Sequence, residues 1–194
     1  MGVRGFIAYM MAHPGKKLSF MGAEIRQFDE WNFRKQLDWN LLEYPMHAKL
    51  KEFNKQLNKF YLDHPELWEV DDSWHGFQWI ALDDYQQSVI SFRRIDKLGN
   101  ELIAICNFCP VRREGYRIGV PVHGRYTQIF SSDAAEFGGT GENNGTVAST
   151  EDIPMHDQEQ SIAVNLPSLS VQFYQLSARL PKRPKPEPEV EEEA

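Results

Sequence analysis

The sequence predicts a mainly β protein: an antiparallel β-sandwich, preceded by a helix–strand–helix segment and followed by an unstructured tail. Three observations carry this expectation. From about Asp71 onward the apolar residues recur with a period of two, turn-forming clusters separate those runs, and before Pro65 the apolar period is helical instead.

Taken in order, Phe6, Ile7, Met10 and Met11 form one apolar helix face, and His13-Pro14-Gly15 stops that helix. Leu18-Ser19-Phe20-Met21 is a short apolar run closed by Gly22, which predicts a strand buried on both faces. Residues 23–46 lack clean periodicity and predict a long loop with a turn of helix. Leu50, Phe53, Leu57, Phe60 and Tyr61 then share a helical stripe that ends at Asp63-His64-Pro65.

Strands are predicted over 88–92, 102–108, 116–120, 126–130, 162–166 and 169–173, with Leu102, Ala104, Cys106 and Phe108 on one face. Leu98-Gly99-Asn100, Pro110 to Gly115, His123-Gly124 and Phe137 to Gly145 supply the turns. The last stretch, 180–194, holds four prolines and five glutamates and cannot bury enough surface to order itself.

At 194 residues the chain has room for one ordinary domain, or one domain plus a piece of another. Its 41% hydrophobic and 25% charged content is globular. A net charge of −7 without a Lys/Arg cluster argues against nucleic acid as a partner. No apolar run approaches the ~20 residues of a membrane span, and Phe6–Ala12 is too short for a signal peptide, so no membrane association and a cytoplasmic address are expected.

Several motifs invite a chemical reading. Cys106-Asn-Phe-Cys109 is a CxxC pair, but it ends a strand rather than opening a helix, and no second pair exists to complete a zinc site. Gly138-Gly-Thr-Gly141 lacks the following Lys and helix of a phosphate loop and reads as a mobile connector between strands. His156-Asp157 has no accompanying nucleophile signature. No metal or cofactor is therefore expected. Of the five tryptophans (31, 39, 68, 74, 79), one or two are candidate sugar platforms, and most are expected to pack. Gly22-Ala-Glu24 has the layout of a loop on the active face of an α/β barrel, an apolar strand ending in Gly and then a carboxylate.

Ala8 to Gly22 resembles the late barrel segment of bacterial glycogen (1,4-α-glucan) branching enzymes. Glu30-Trp-Asn32, Leu37-Asp-Trp39, His75 to Ile80, Cys106 to Phe108 with Pro110-Val111, Tyr116 to Pro121 and Phe137 to Gly141 follow in that family's order. The resemblance implies a partial (β/α)8 barrel end over 1–70 (helix, eighth strand, loop, closing helix), an all-β C-terminal domain over 71–179, and the tail. It also implies transfer of an α-1,4-glucan segment to a 6-hydroxyl.

In that family the catalytic carboxylates belong to segments with no counterpart here, so this chain alone is expected to be inactive and no catalytic residue is assigned. Glu24, Gln27 and Trp31 are the implied glucan contacts. Arg26 stands where the family has Gly, which puts the loop path in question. The partners implied are an α-glucan and a separately encoded catalytic barrel. The alternative is a non-catalytic α-glucan-binding or structural module.

Overall fold

The computed structural model describes residues 2–142 and 147–181. Most of the predicted tail, from Lys182 onward, lies outside the described residues, as does part of the turn cluster before Gly145. Two α-helices, α1 (Gly2–Ala12) and α2 (Pro45–Asp63), precede eight strands. These are β1 (Phe77–Asp84), β2 (Val89–Ile95), β3 (Glu101–Asn107), β4 (Arg113–Val120), β5 (Gly124–Ser131), β6 (Val147–Ser149), β7 (Gln160–Leu166) and β8 (Ser170–Arg179).

Six strands form one antiparallel sheet in the order β1-β2-β3-β8-β5-β6, and β4 pairs with β7 in a second, two-stranded sheet. Alternation along β3 makes the layering clear. Leu102, Ala104 and Cys106 pack with Phe92, Val171 and Phe173 against Phe53, Leu57 and Phe60 of α2. Ile103 and Ile105 point the other way, onto Ile118, Val120, Ile162 and Val164 of the small sheet. The central strands are thus buried on both faces, and the molecule has three layers: helices, large sheet, small sheet.

Helix α2 buries the stripe its sequence predicts, Leu50, Phe53, Leu57 and Phe60. Helix α1 does not. Its buried residues are Arg4, Gly5, Ala8, Met11 and Ala12, whereas Phe6 is 67% exposed and Ile7 and Met10 are half-buried. The reason is close approach. A Cβ on Gly5 would lie 2.6 Å from the Leu169 carbonyl oxygen, so the helix can sit this near the start of β8 only with glycine at that point.

Two buried arginines fasten α1 in place. Arg94, fully buried on β2, donates to the Ala12 carbonyl (2.8 Å), the Gly76 carbonyl (3.2 Å) and Asp71 (2.7 Å). Arg4 donates through Nε to the Ser132 carbonyl at 2.8 Å, and its guanidinium lies 3.9 Å from Asp133.

The predicted strand at Leu18–Met21 does not form; residues 16–20 carry no regular structure and 21–26 are turns. A strand exists only through its ladder partners, and none of the described residues supplies one.

Candidate functional site

Between α1 and the loop that follows it runs a groove of about 550 Å³. Phe6, Ile7 and Met10 form one wall, residues 17–24 the other, and Asn54 and Asn58 of α2 reach its edge. The apolar side chains of this region stay open to solvent: Phe6, Leu18, Phe20, Phe28, Trp31 and Phe33 are all more than half exposed. Apolar surface of this kind marks a contact that the described residues do not make among themselves.

Glu24 and Gln27 line the groove, and Trp31 joins it indirectly, its ring edge-on to Phe20 at 6.1 Å. Their environments differ. The Glu24 carboxylate has no partner among the described residues, and only its backbone carbonyl is used, accepting from Asn54 Nδ2 at 3.3 Å. Gln27 is occupied instead. Its Nε2 donates to the Asp29 carbonyl at 3.0 Å, its Oε1 accepts from the Asp38 amide at 3.3 Å, and its side chain fills the space beside Gly22. It holds the 22–38 loop together. Trp31 is 67% exposed and also meets Phe33.

Arg26 has φ +52°, so the left-handed turn that a glycine would favour is kept, with an arginine in it. The turn is therefore held at some backbone strain. Ile25, next to it, is fully buried, and His47 Nδ1 donates to its carbonyl at 2.7 Å.

Lys17 also lines the groove. It donates to the His13 carbonyl and stands 5.6 Å from the Tyr61 ring centre. Burial lowers its ammonium to about 8, although Asp71 opposes the shift.

The remaining sequence motifs fall elsewhere. Cys106 is buried in the core, where desolvation pushes its thiol well up, and it has no role in the groove. The Gly138–Gly141 loop is not a loose connector: the Asp133 carboxylate accepts from the Thr140 hydroxyl and, at 3.2 Å, from its amide. All five tryptophans are at least 39% exposed, so the expectation that most of them pack is not met. Sequence patterning did not single out Arg4, Arg94 or Asp71. The one available signal was parity, since strand alternation from Phe92 puts Arg94 on the inward face.

Two packed antiparallel sheets beneath a pair of helices define the chain as an all-β domain with a short helical N-terminal part. The family described as "Alpha amylase, C-terminal all-beta domain" matches residues 79–177, and the chain belongs to it. The 1,4-alpha-glucan branching enzyme GlgB of Halothermothrix orenii is 45% identical over 173 residues, 89% of this chain and 28% of that protein. The corresponding enzyme of Aquifex aeolicus is 46% identical over 170 residues, covering 87% of this chain and 27% of the relative.

The chain thus spans under a third of the length of these relatives. Among solved structures, a protein from Thermus thermophilus superposes with TM-score 0.59 at 17% identity, over 90% of this chain and 31% of that one. The Group B Streptococcus pullulanase SAP gives 0.58 at 12% identity, over 90% and 28%. At those identities the likeness is one of fold alone.

Proposed function

We propose that the chain acts as the C-terminal part of a 1,4-α-glucan branching enzyme, with its groove as the seat of the remaining catalytic barrel. The observation that carries this is the double-sided apolarity of α1. One face (Gly5, Ala8, Met11, Ala12) is used within the chain, and on the other Phe6 opens fully into the groove while Ile7 and Met10, half-buried against the core, form its wall. A helix apolar on both sides belongs in the interior of something larger.

Fully burying Phe6, Leu18 and Phe20, the more than half-exposed apolar side chains that line the groove, is worth at most about 5–9 kcal/mol at ~1.5–3 kcal/mol each. That is of the same order as the cost of association, ~4–15 kcal/mol, so the ladder bonds of Leu18–Met21 are needed as well. Leu18–Met21 would gain its ladder partners at the same time and become the barrel's last strand.

In this reading residues 1–70 complete the barrel and 71–179 form the β domain. The chemistry is cleavage of an α-1,4 bond and transfer to a 6-hydroxyl in the cytoplasm. Such retaining transfer needs two carboxylates roughly 5–5.5 Å apart, which the barrel supplies. This chain contributes the 22–38 loop, with Glu24 as its free carboxylate and Trp31 as an aromatic surface for glucan.

The test is iodine staining of amylose. The chain by itself leaves the stain unchanged. Adding a separately expressed barrel portion of a branching enzyme restores the loss of stain, and Phe20→Asp blocks both the restored activity and co-elution on size exclusion. Branching by the chain alone, or no association with the barrel, would overturn the proposal.

The exposure of Trp31 favours a second reading, a module that binds α-glucan without catalysis. Retardation of the chain in a glycogen-containing native gel, lost in Trp31→Ala, is its signature.

A further inference from the structure

Residues 13–17 join α1 to the Leu18–Met21 segment, and this turn is gripped from outside the helical part of the chain. Arg94 of β2 donates to the Ala12 carbonyl just before it, at 2.8 Å. Within it the Gly15 amide donates to Asp71 Oδ2 at 2.9 Å, and Gly15 takes φ +107°, a backbone conformation that favours glycine. Asp71 Oδ1 accepts from Arg94 Nη2 at 2.7 Å. One carboxylate therefore ties the turn to β2 through both of its oxygens.

The segment that carries Asp71, between α2 and β1, is itself closely held. A Cβ on Gly76 would stand 1.8 Å from the Val70 carbonyl oxygen, so residues 70 and 76 can meet only with glycine there. The Gly76 carbonyl in turn accepts from Arg94 Nε at 3.2 Å. Charge works in the same direction. Asp71 favours the Lys17 ammonium, which burial and Arg94 disfavour, so two cations share this carboxylate.

Only Lys16 and Lys17 separate Gly15 from Leu18, where the strand of the barrel-seating reading begins. We propose that Asp71 is a positioning residue for branching: by fixing the 13–17 turn against β2 it sets where Leu18–Met21 enters the barrel, and with it where the Glu24 loop faces the glucan. Asp71 touches no substrate, and its role rests on the barrel-seating reading. A misplacement of about 1 Å far from the reacting bond can cost ~100-fold in rate, so a short tether of this kind bears directly on turnover.

The experiment mixes the chain with a separately expressed barrel portion and follows iodine staining of amylose against barrel concentration. Wild type is compared with Asp71→Ala, Asp71→Asn and Asp71→Glu. A side chain that only strengthened seating would be dispensable once the barrel is saturating. Positioning predicts instead that kcat of Asp71→Ala stays about tenfold down at saturating barrel, with KM for amylose little changed. Asp71→Glu, which keeps both acceptor oxygens and the charge, should recover most of the loss.

In the chain alone, the Gly15 amide should exchange about tenfold faster in Asp71→Ala, while β3 and β8 amides keep their protection and show that the variant is folded. If that protection is lost, Asp71→Asn, which keeps the volume and one acceptor, carries both measurements. Full kcat at saturating barrel, or unchanged Gly15 exchange, would overturn the proposal. A wild-type chain that does not associate with the barrel sinks the seating reading and this role with it, whereas wild-type branching matched by the variants sinks this role alone.

Discussion

Arg94→Met is the sharpest test of how α1 is held. Arg94 is fully buried, and its guanidinium satisfies two backbone carbonyls and the Asp71 carboxylate. The Ala12 carbonyl lies in the last turn of α1, where no backbone donor follows, so Arg94 caps that helix with a cation placed well for its dipole.

Methionine preserves much of the volume and removes every donor. Two buried carbonyls left unsatisfied cost ~1–3 kcal/mol each. Asp71 is partly exposed and regains water, so its lost ion pair adds little. The expected loss is about 4 kcal/mol, against the ~5–15 kcal/mol that a domain has to lose.

Urea unfolding followed by far-UV circular dichroism reads the total, and amide hydrogen exchange reads where it falls. The α1 amides should exchange close to 1,000-fold faster, the equivalent of ~4 kcal/mol at 1.4 kcal/mol per tenfold change. Arg94→Lys should fall between the two, since an ammonium cannot reproduce the fork. A loss below ~1 kcal/mol in Arg94→Met, or unchanged protection of α1, would refute the claim that this side chain fastens the helix.

The other predictions concern the groove and its loop. Arg26 holds a left-handed conformation at a cost of ~1–2 kcal/mol, so Arg26→Gly should raise stability by about 0.5–1 kcal/mol after the added chain entropy, measured by chemical denaturation. Lys17, lowered to about 8, is half neutral at pH 8, where an ordinary lysine is only ~0.3% neutral; limiting acetylation at that pH should mark it first by mass spectrometry. Its linkage has a definite sign. The folded chain prefers the neutral amine, so between pH 8 and about 10.5 the unfolded state binds the extra proton and Lys17's contribution to stability rises with pH. Lys17→Met should flatten that rise.

The strands were legible because alternation is a local property. Leu102, Ala104 and Cys106 share one face by their spacing alone, and they pack as one. What alternation does not report is the fate of the opposite face. Ile103 and Ile105 are equally buried because β4 and β7 return over them, a long-range event with no local trace.

The same limit explains α1. Its large apolar residues signal a buried face, yet the sheet takes the face of Gly5, Ala8 and Ala12, because closeness of approach outweighs side-chain area at that contact. Leu18–Met21 is the opposite case, a strand-like pattern for which the described residues offer no ladder partner. In the candidate site, Glu24 and Gln27 both line the groove, but they differ in what their side chains are free to do. That Gln27 is tied up in the loop's own hydrogen bonds could not be read from its identity.

Under the barrel-seating proposal, the departures at α1 and at Leu18–Met21 have a single cause. If Phe6, Ile7 and Met10 were merely surface residues of an α1 that serves the sheet, nothing would require Leu18 and Phe20 to be apolar on the facing wall. The two walls match each other, and each lacks the same thing, a neighbour from the side where the groove opens. A polar occupant would leave both walls wet, and a second copy of this chain would offer the same unpaired strand without a sheet to receive it. An incomplete barrel offers both what the helix lacks and what the strand lacks. The apolar cover over α1 and the hydrogen-bonding edge beside Leu18–Met21 then come from one object, which is why the groove is read as a seat rather than a pocket.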